Sequence, residues 1–291
     1  MTYANCTLCE RKCCVDRTRG ELGFCKMSDT PKIALASLHM WEEPVISGTR
    51  GSGTIFFSGC SLRCVFCQNY EISKKSVGKE YTDFDIAETM LRLEDLGAHN
   101  VNFVTPTHFA LSVKNAARIA KERGFSLPLV YNTSSYDSVD TLRELDNTVD
   151  IYLADYKYFL PKTAGALASA ENYPQSARLA IAEMVRQQPI ALLEDGIMKR
   201  GVIVRILLLP GHVAEAKLIL KEIYSEYGDG IYISLMNQYT PMEDMPSPLD
   251  RRVTKAEYGE LVAYAEKLGV KNAFVQEFGT ADKSYIPKFD I

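Results

Sequence analysis

After Cys67 the chain contains no cysteine: all eight lie in the first 67 of its 291 residues. That gap argues against a disulfide framework, which belongs to short secreted domains stapled along their length. The opening residues, Met1-Thr-Tyr-Ala-Asn, lack the basic segment and apolar core of a secretory signal, so a reducing cytoplasm is the expected compartment. No uninterrupted apolar run of membrane-spanning length is present, which excludes a transmembrane helix at this stage. Charge of one sign is also missing: 33 Lys and Arg face 37 Asp and Glu, a net charge of −4 with no long block of either sign, so no nucleic-acid surface is expected. Low-complexity segments and internal repeats are absent. What remains is 46% hydrophobic, enough for a large buried core, and at this length one α/β domain plus a small module is expected.

Beyond Cys67, short aliphatic or β-branched runs alternate with segments of helical period, the pattern of repeated βα units. Strands are expected at Thr54 to Ser58, Asn100 to Val104, Leu127 to Tyr131, Asp150 to Ala154, Val202 to Leu209 and Gly230 to Leu235. Helices are expected at Asp83 to Leu96, Ala110 to Arg123, Ser138 to Asp146, Ser176 to Gln188, Val213 to Tyr227 and Lys255 to Leu268. Thr254 and Glu257 form a capping-box pattern before the last, and Gly269 ends it. Six strands joined by right-handed crossovers build a parallel barrel, open or closed, with its site at the strand C-termini.

Cys60-Ser-Leu-Arg-Cys64-Val-Phe-Cys67 begins two residues after the first of these strands, on the first βα loop. Three thiolates at this spacing can hold three irons of a [4Fe-4S] cube and leave the fourth without a protein ligand. Structural zinc normally draws paired ligands from two separated loops and fits this single triplet poorly. The motif, with Phe66 in its aromatic position, resembles the signature of the radical S-adenosylmethionine superfamily, especially its pyruvate formate-lyase activating-enzyme branch. The resemblance, which covers Thr54 to about Leu235 in layout, implies a partial (β/α)6 barrel that with a C-terminal closing segment makes up 46–291, a [4Fe-4S] cluster on Cys60, Cys64 and Cys67, and S-adenosylmethionine on the unique iron. Its reductive cleavage to a 5′-deoxyadenosyl radical starts hydrogen abstraction from the substrate.

Later strand ends extend the resemblance. Where the family carries Gly-Gly-Glu for the methionine amino group, this chain has Val104-Thr105-Pro106-Thr107-His108, and Thr105 and Thr107 take that place; the alternative is a rigid loop set by Pro106. His108 is a candidate catalyst on the same loop, against the commoner role of a loop or capping residue. Asn132-Thr133-Ser134 resembles the turn that faces the ribose, with a helix-capping serine turn as the plain reading. Asp155-Tyr156-Lys157 resembles Asp-Leu-Lys, whose aspartate and lysine face the cofactor, and the aspartate is a candidate for a monovalent cation. Arg205 interrupts the apolar run Val204 to Leu209 before Pro210-Gly211. A buried guanidinium needs an anion: the methionine carboxylate, by resemblance, or Asp155, as an internal ion pair.

Ahead of the barrel, a leader module over 1–45 carries Cys6-x2-Cys9-x3-Cys13 and Cys25, with Cys14 as the spare; the spacing suits zinc or an accessory iron-sulfur centre. Leu38 to Pro44, with the single tryptophan Trp41, is expected to pack the leader on the barrel. The loop 157–173 is read as a lid, a partner surface or a connector, and Asn237 to Met242 and Phe274 to Phe278 as substrate-handling or closing segments. The leading function is an activating-type, anaerobic radical enzyme acting on a residue of a protein partner and served by a flavodoxin or ferredoxin-type reductant. Radical modification of a peptide or small metabolite is the alternative. From another class comes a non-catalytic iron-sulfur carrier or metal-binding scaffold.

Overall fold

The computed structural model describes residues 1–277; Phe278 of the last expected segment lies outside them. The elements run β1 (Lys32–His39), α1 (Pro44–Ser47), β2 (Ser52–Phe57), α2 (Tyr70–Lys75), β3 (Lys79–Glu80), α3 (Asp83–Asp95), β4 (Val101–Val104), α4 (Ala110–Glu122), β5 (Leu129–Thr133), α5 (Val139–Glu144), β6 (Ile151–Asp155), α6 (Pro161–Ala168), α7 (Tyr173–Gln187), β7 (Leu192–Glu194), β8 (Ile197–Leu207), α8 (Val213–Tyr227), β9 (Tyr232–Met236), α9 (Lys255–Leu268) and β10 (Ala273–Val275). The strands form one open mixed sheet in the order β10-β9-β8-β6-β5-β4-β2-β1-β3, with β7 paired to β8. From β2 to β10 the pairs along this path are parallel, whereas β1 runs antiparallel to β2 and β3 antiparallel to β1.

The parallel strands form where expected because both their faces are covered: β2, β4 and β5 are buried at every residue. Helix starts follow their caps. Thr82 and Asp85 close a capping box on α3, and Thr254 and Glu257 do so on α9, which Gly269 ends in the left-handed region at φ +83°. Ile86, Met90 and Leu93 of α3 lie in a core with Phe57, Phe103, Val113 and Ala117. A larger core joins Tyr131, Tyr152, Val202 and Val204 to α7 and α8.

Three features depart from the expectation. β1 lies within the 1–45 leader yet pairs with β2 along its length, from Ile33 opposite Phe57 to His39 opposite Ser52, so the sheet continues into that segment. β7 and β8 form a hairpin across Asp195 and Gly196, at φ +51° and +78°, the signature of an Asp-Gly turn. The loop 157–173 contains the helix α6, started by Pro161, and Tyr158 and Tyr173 near its ends are fully buried, so they serve the core rather than a lid. Beyond β9, Ala273–Val275 adds a parallel strand that is the edge of the sheet among the described residues. Among the described residues no helix is long and apolar enough to cross a membrane.

Candidate functional site

The C-terminal ends of the parallel strands face a cavity of about 610 Å³, lined from β2 (Phe56, Phe57) round to β10 (Phe274). That volume lies within the ~300–1,000 Å³ range of small-molecule sites. Cys60, Cys64, Cys67 and Phe66 line it together with Thr105, Asn132, Thr133, Ser134, Asp155, Lys157 and Arg205.

The cysteine loop follows Gly59, whose φ of +82° suits glycine; a Cβ there would stand 2.6 Å from Met27 Cγ and 2.8 Å from the Cys25 carbonyl oxygen. Donors already point at the sulfurs: Leu62 N to Cys60 at 3.4 Å, Tyr158 Oη to Cys64 at 3.1 Å and Ser73 Oγ to Cys67 at 3.3 Å. Burial pushes the Cys64 thiol up to about 12 and raises Cys67, while Lys157 near Cys64 acts the other way. Among the described residues no three side chains of ligand type are already gathered about a metal position. The donor set nonetheless fits a metal-sulfur cluster: three thiols on one loop, hydrogen bonds to sulfur, and a nearby cation favouring thiolate. Phe66 packs edge-on to Tyr239 and Tyr158, with ring centres 5.7 and 6.5 Å away.

Arg205, opposite Asp155 in the β6–β8 register, is the hub of the polar network. Its Nε donates to Asp155 Oδ1 at 2.7 Å, Nη1 to Glu42 Oε2 at 3.2 Å, and Nη2 to Asn132 Oδ1. Lys157 Nζ donates to Asp155 Oδ2 at 2.6 Å. The internal ion pair is therefore present, and both oxygens of Asp155 already face cationic donors, which crowds out the monovalent cation considered from the sequence. Burial alone would raise the Asp155 carboxyl; Arg205 and Lys157 bring it below the usual carboxylate range. Burial would likewise lower Lys157, and Asp155 keeps it raised.

The Thr105 loop divides. Thr105 lines the cavity at φ +58°, an uncommon conformation for a β-branched residue, and its N–H donates to the Asn132 carbonyl at 2.9 Å. Thr107 is absent from the lining; its hydroxyl meets Thr133 Oγ1 at 3.2 Å, beside Asp137, which accepts from Thr133 and Tyr131. His108 does not line the cavity either. Its ring is buried, Nε2 donates to the Ser58 carbonyl at 2.7 Å, and burial drives its pKa down to about 3, so it is held neutral as a brace between two loops.

Two functional candidates escaped the sequence. Glu42 and Glu43, within the segment expected only to pack, project into the same cavity. Glu42 accepts from Asn102 at 3.0 Å, from Asn132 at 3.2 Å and from Arg205. Glu43 is 8% exposed and its Oε2 has no donor. Their signal was two adjacent acids before a proline, indistinguishable from a solvated turn without β1.

The leader sits on the cysteine loop. Arg11 donates to the carbonyls of Ser61 (2.8 Å), Ala168 (2.7 Å) and Ser169 and lies over Phe24. Cys6, Cys9 and Cys25 are buried, Cys13 is half-buried and Cys14 is exposed. Burial raises the Cys9 thiol, and also Cys25, where Arg17 opposes it. Arg17 is fully buried, yet among the described residues it pairs with no carboxylate; it donates to the carbonyls of Ser28 and His108 and reaches Cys6 Sγ at 3.6 Å.

The model of the radical SAM superfamily matches residues 54–223. An uncharacterized protein of Methanocaldococcus jannaschii is 29% identical over 278 residues, covering 91% of this chain and 75% of its own. Among solved structures, methylornithine synthase (PylB) is similar with a TM-score of 0.50 at 18% identity, over 73% of this chain and 61% of its own. The anSMEcpe structure with bound AdoMet gives a TM-score of 0.48 at 13% identity, over 74% and 58%. The chain spans about three-fifths of the length of these solved structures, and the likeness to the former concerns the fold alone.

Proposed function

The chain belongs to the radical SAM superfamily, whose members carry a [4Fe-4S] cluster and S-adenosylmethionine, and from that premise we propose an enzyme of the activating type that abstracts hydrogen from a residue of a protein partner. One observation carries the reading: the Cys60–Cys67 loop and the polar ends of β5, β6 and β8 converge on one cavity of about 610 Å³. When bound at Cys60, Cys64 and Cys67, the cluster supplies the electron that cleaves S-adenosylmethionine to the hydrogen-abstracting 5′-deoxyadenosyl radical.

The chain's own groups bind and orient. Arg205 offers the cofactor carboxylate a forked donor, with Lys157 beside it as a second cation and Asp155 holding both in place. Asn132, Thr133 and Ser134 offer short polar groups to a ribose, Thr105 its strand-end position to the amino group, and Phe66 an apolar wall. Tyr158, buried against Cys64, helps keep water from the thiol loop. The side of the sheet left open among the described residues, between β10 and the segment after β1, supports admission of a polypeptide loop. A flavodoxin or ferredoxin-type reductant is the partner this chemistry requires.

The leader is read as a module with two parts. Residues 1–31 carry Cys6, Cys9, Cys13 and Cys25, read as a second metal site; the reading is supported by Arg17, a buried cation that reaches Cys6 Sγ at 3.6 Å and has no carboxylate partner among the described residues. Residues 32–45 close the barrel.

Anaerobic reconstitution followed by reduction with S-adenosylmethionine tests the reading. Release of 5′-deoxyadenosine that disappears in Cys64→Ala is expected; a stable cluster that releases none with any low-potential reductant would leave only the non-catalytic carrier.

A further inference from the structure

The cavity has two electrically different ends. Lys157 stands near the thiol loop, within electrostatic reach of Cys64, and Asp155 and Arg205 follow. Glu42 and Glu43 arrive from the opposite end. Because β1 is antiparallel to β2, with His39 opposite Ser52, the chain leaves β1 below the N-terminal ends of the parallel strands. It then turns into α1, whose Val45 and Ile46 pack against Val130, Ile151 and Ile203. The plug so formed carries the two carboxylates upward into the cavity.

Charge counting shows what this end lacks. Three carboxylates, Glu42, Glu43 and Asp155, line the cavity against two cations, Lys157 and Arg205. Asp155 takes Lys157 whole and shares Arg205 with Glu42. Glu43 forms no ion pair among the described residues; Ser234 offers it a side-chain hydrogen bond, but its Oε2 is buried and without a donor. Asn102 Oδ1, on the residue that donates to Glu42, is also without one. Burial pushes both glutamates up, against Arg205. A buried, unpartnered acceptor is costly, more so if charged, and calls for an explanation such as a ligand that satisfies it. Ammonium brings three donors and guanidinium five. Trp41 and Phe274, which line the same end, offer aromatic faces that suit either cation.

We propose that Glu42 and Glu43 form a cation subsite that receives a protonated amine or guanidinium of the substrate. This rests on reading the cavity as the reaction chamber and gives the substrate a chemical class: a lysine or arginine side chain presented by a polypeptide, or a free alkylamine. The negative floor selects against acidic and neutral counterparts and fixes how deeply the substrate reaches toward the thiol loop.

The test uses the full reconstituted chain under anaerobic conditions. Calorimetry measures binding of a capped lysine peptide, its norleucine counterpart and cadaverine, and equilibrium dialysis measures S-adenosylmethionine. The lysine peptide is expected to bind at least roughly tenfold tighter than the norleucine peptide, and Glu43→Gln to remove that preference, as loss of one partner from a buried charge pair implies. Cofactor affinity should stay within about twofold. Cadaverine binding as well as the lysine peptide points to a free amine; weaker binding points to a polypeptide, and both support the subsite. Equal affinity for charged and neutral peptides, or no binding of any cation, overturns it. So does a Glu43→Gln protein that loses S-adenosylmethionine while keeping the preference, since the carboxylate then serves the cofactor. If Glu43→Gln fails to fold, Glu42→Gln and the wild-type preference decide. Cation binding without 5′-deoxyadenosine release would refute the proposed reaction and leave the subsite standing; release without cation preference would do the reverse.

Discussion

The two cysteine groups differ less in their thiols than in the charges around them. Beside Cys60, Cys64 and Cys67, the cations Lys157 and Arg205 are already held by Asp155 and Glu42, so the loop depends on them only at a distance. Beside Cys6, Cys9, Cys13 and Cys25, Arg17 is fully buried and finds carbonyls and a sulfur but no carboxylate among the described residues. A site whose cations are already paired can exchange those anions for a ligand's. If the leader thiols bind a metal as proposed, their thiolates would supply the counter-charge that Arg17 lacks among the described residues.

The largest expected effect breaks the first half of this comparison. Cys64→Ala should abolish 5′-deoxyadenosine release by roughly a thousandfold or more, the scale of removing a group on which chemistry depends. Cys9→Ala should lower leader metal content while cluster absorbance at the barrel loop persists. Equal loss of both signals in either variant would show one shared site.

Arg17→Met sharpens the second half. With a metal-thiolate centre, removing the cation leaves buried negative charge, and metal content and melting temperature should both fall, the latter by about 5–10 °C. With neutral thiols, an apolar replacement for a buried arginine is tolerated or stabilising. The sign of the shift, read by thermal melting with metal analysis, separates the two.

What the sequence disclosed follows the same divide between local and distant causes. Arg205 was legible because a lone charge in an apolar strand must find a partner, and the helices because Thr82, Thr254 and Gly269 mark their own ends. Glu42 and Glu43 were not, since their burial depends on β1 turning antiparallel, a long-range pairing that leaves no periodic signal in Lys32 to His39. The β7–β8 hairpin did carry one, in Asp195-Gly196 between Leu192-Leu193-Glu194 and Ile197-Met198. Thr107 and His108 misled for a third reason. They flank a strand end as cofactor groups would, but the turn rotates them beneath the cavity wall, where Thr133 and Ser58 take their polar atoms.

His108 joins the two regions, bonding Ser58 ahead of the cysteine loop and accepting from Arg17 through its carbonyl at 2.6 Å. Its Nδ1 is buried without a partner, so a second proton would have no acceptor. Its folded pKa, driven down to about 3, lies below the unfolded value of ~6.5. The stability it contributes is thus complete above pH ~6.5 and is lost as the pH falls from there toward 3, at up to ~1.4 kcal/mol per pH unit. His108→Gln, which keeps a donor for Ser58, should flatten this slope in denaturant titrations run between pH 7 and pH 4. An unchanged difference from wild type across that range would remove the histidine from the acid response.

The smallest effect concerns Cys14. It is exposed at φ +54°, and its Sγ turns back to the Lys12 carbonyl at 3.3 Å while Cys13 Sγ accepts from Phe24 N at 3.4 Å. Adjacent side chains diverge, so one thiol of the pair faces inward and the other solvent. Cys14→Ser should therefore change leader metal content and 5′-deoxyadenosine release by less than about twofold, within the usual reach of a surface substitution. In the metal-loaded protein, alkylation followed by peptide mass mapping should find Cys14 modified first. Protection of Cys14 equal to that of Cys13 would instead make it a ligand, and would raise the leader's thiolates from four to five around the single buried charge of Arg17.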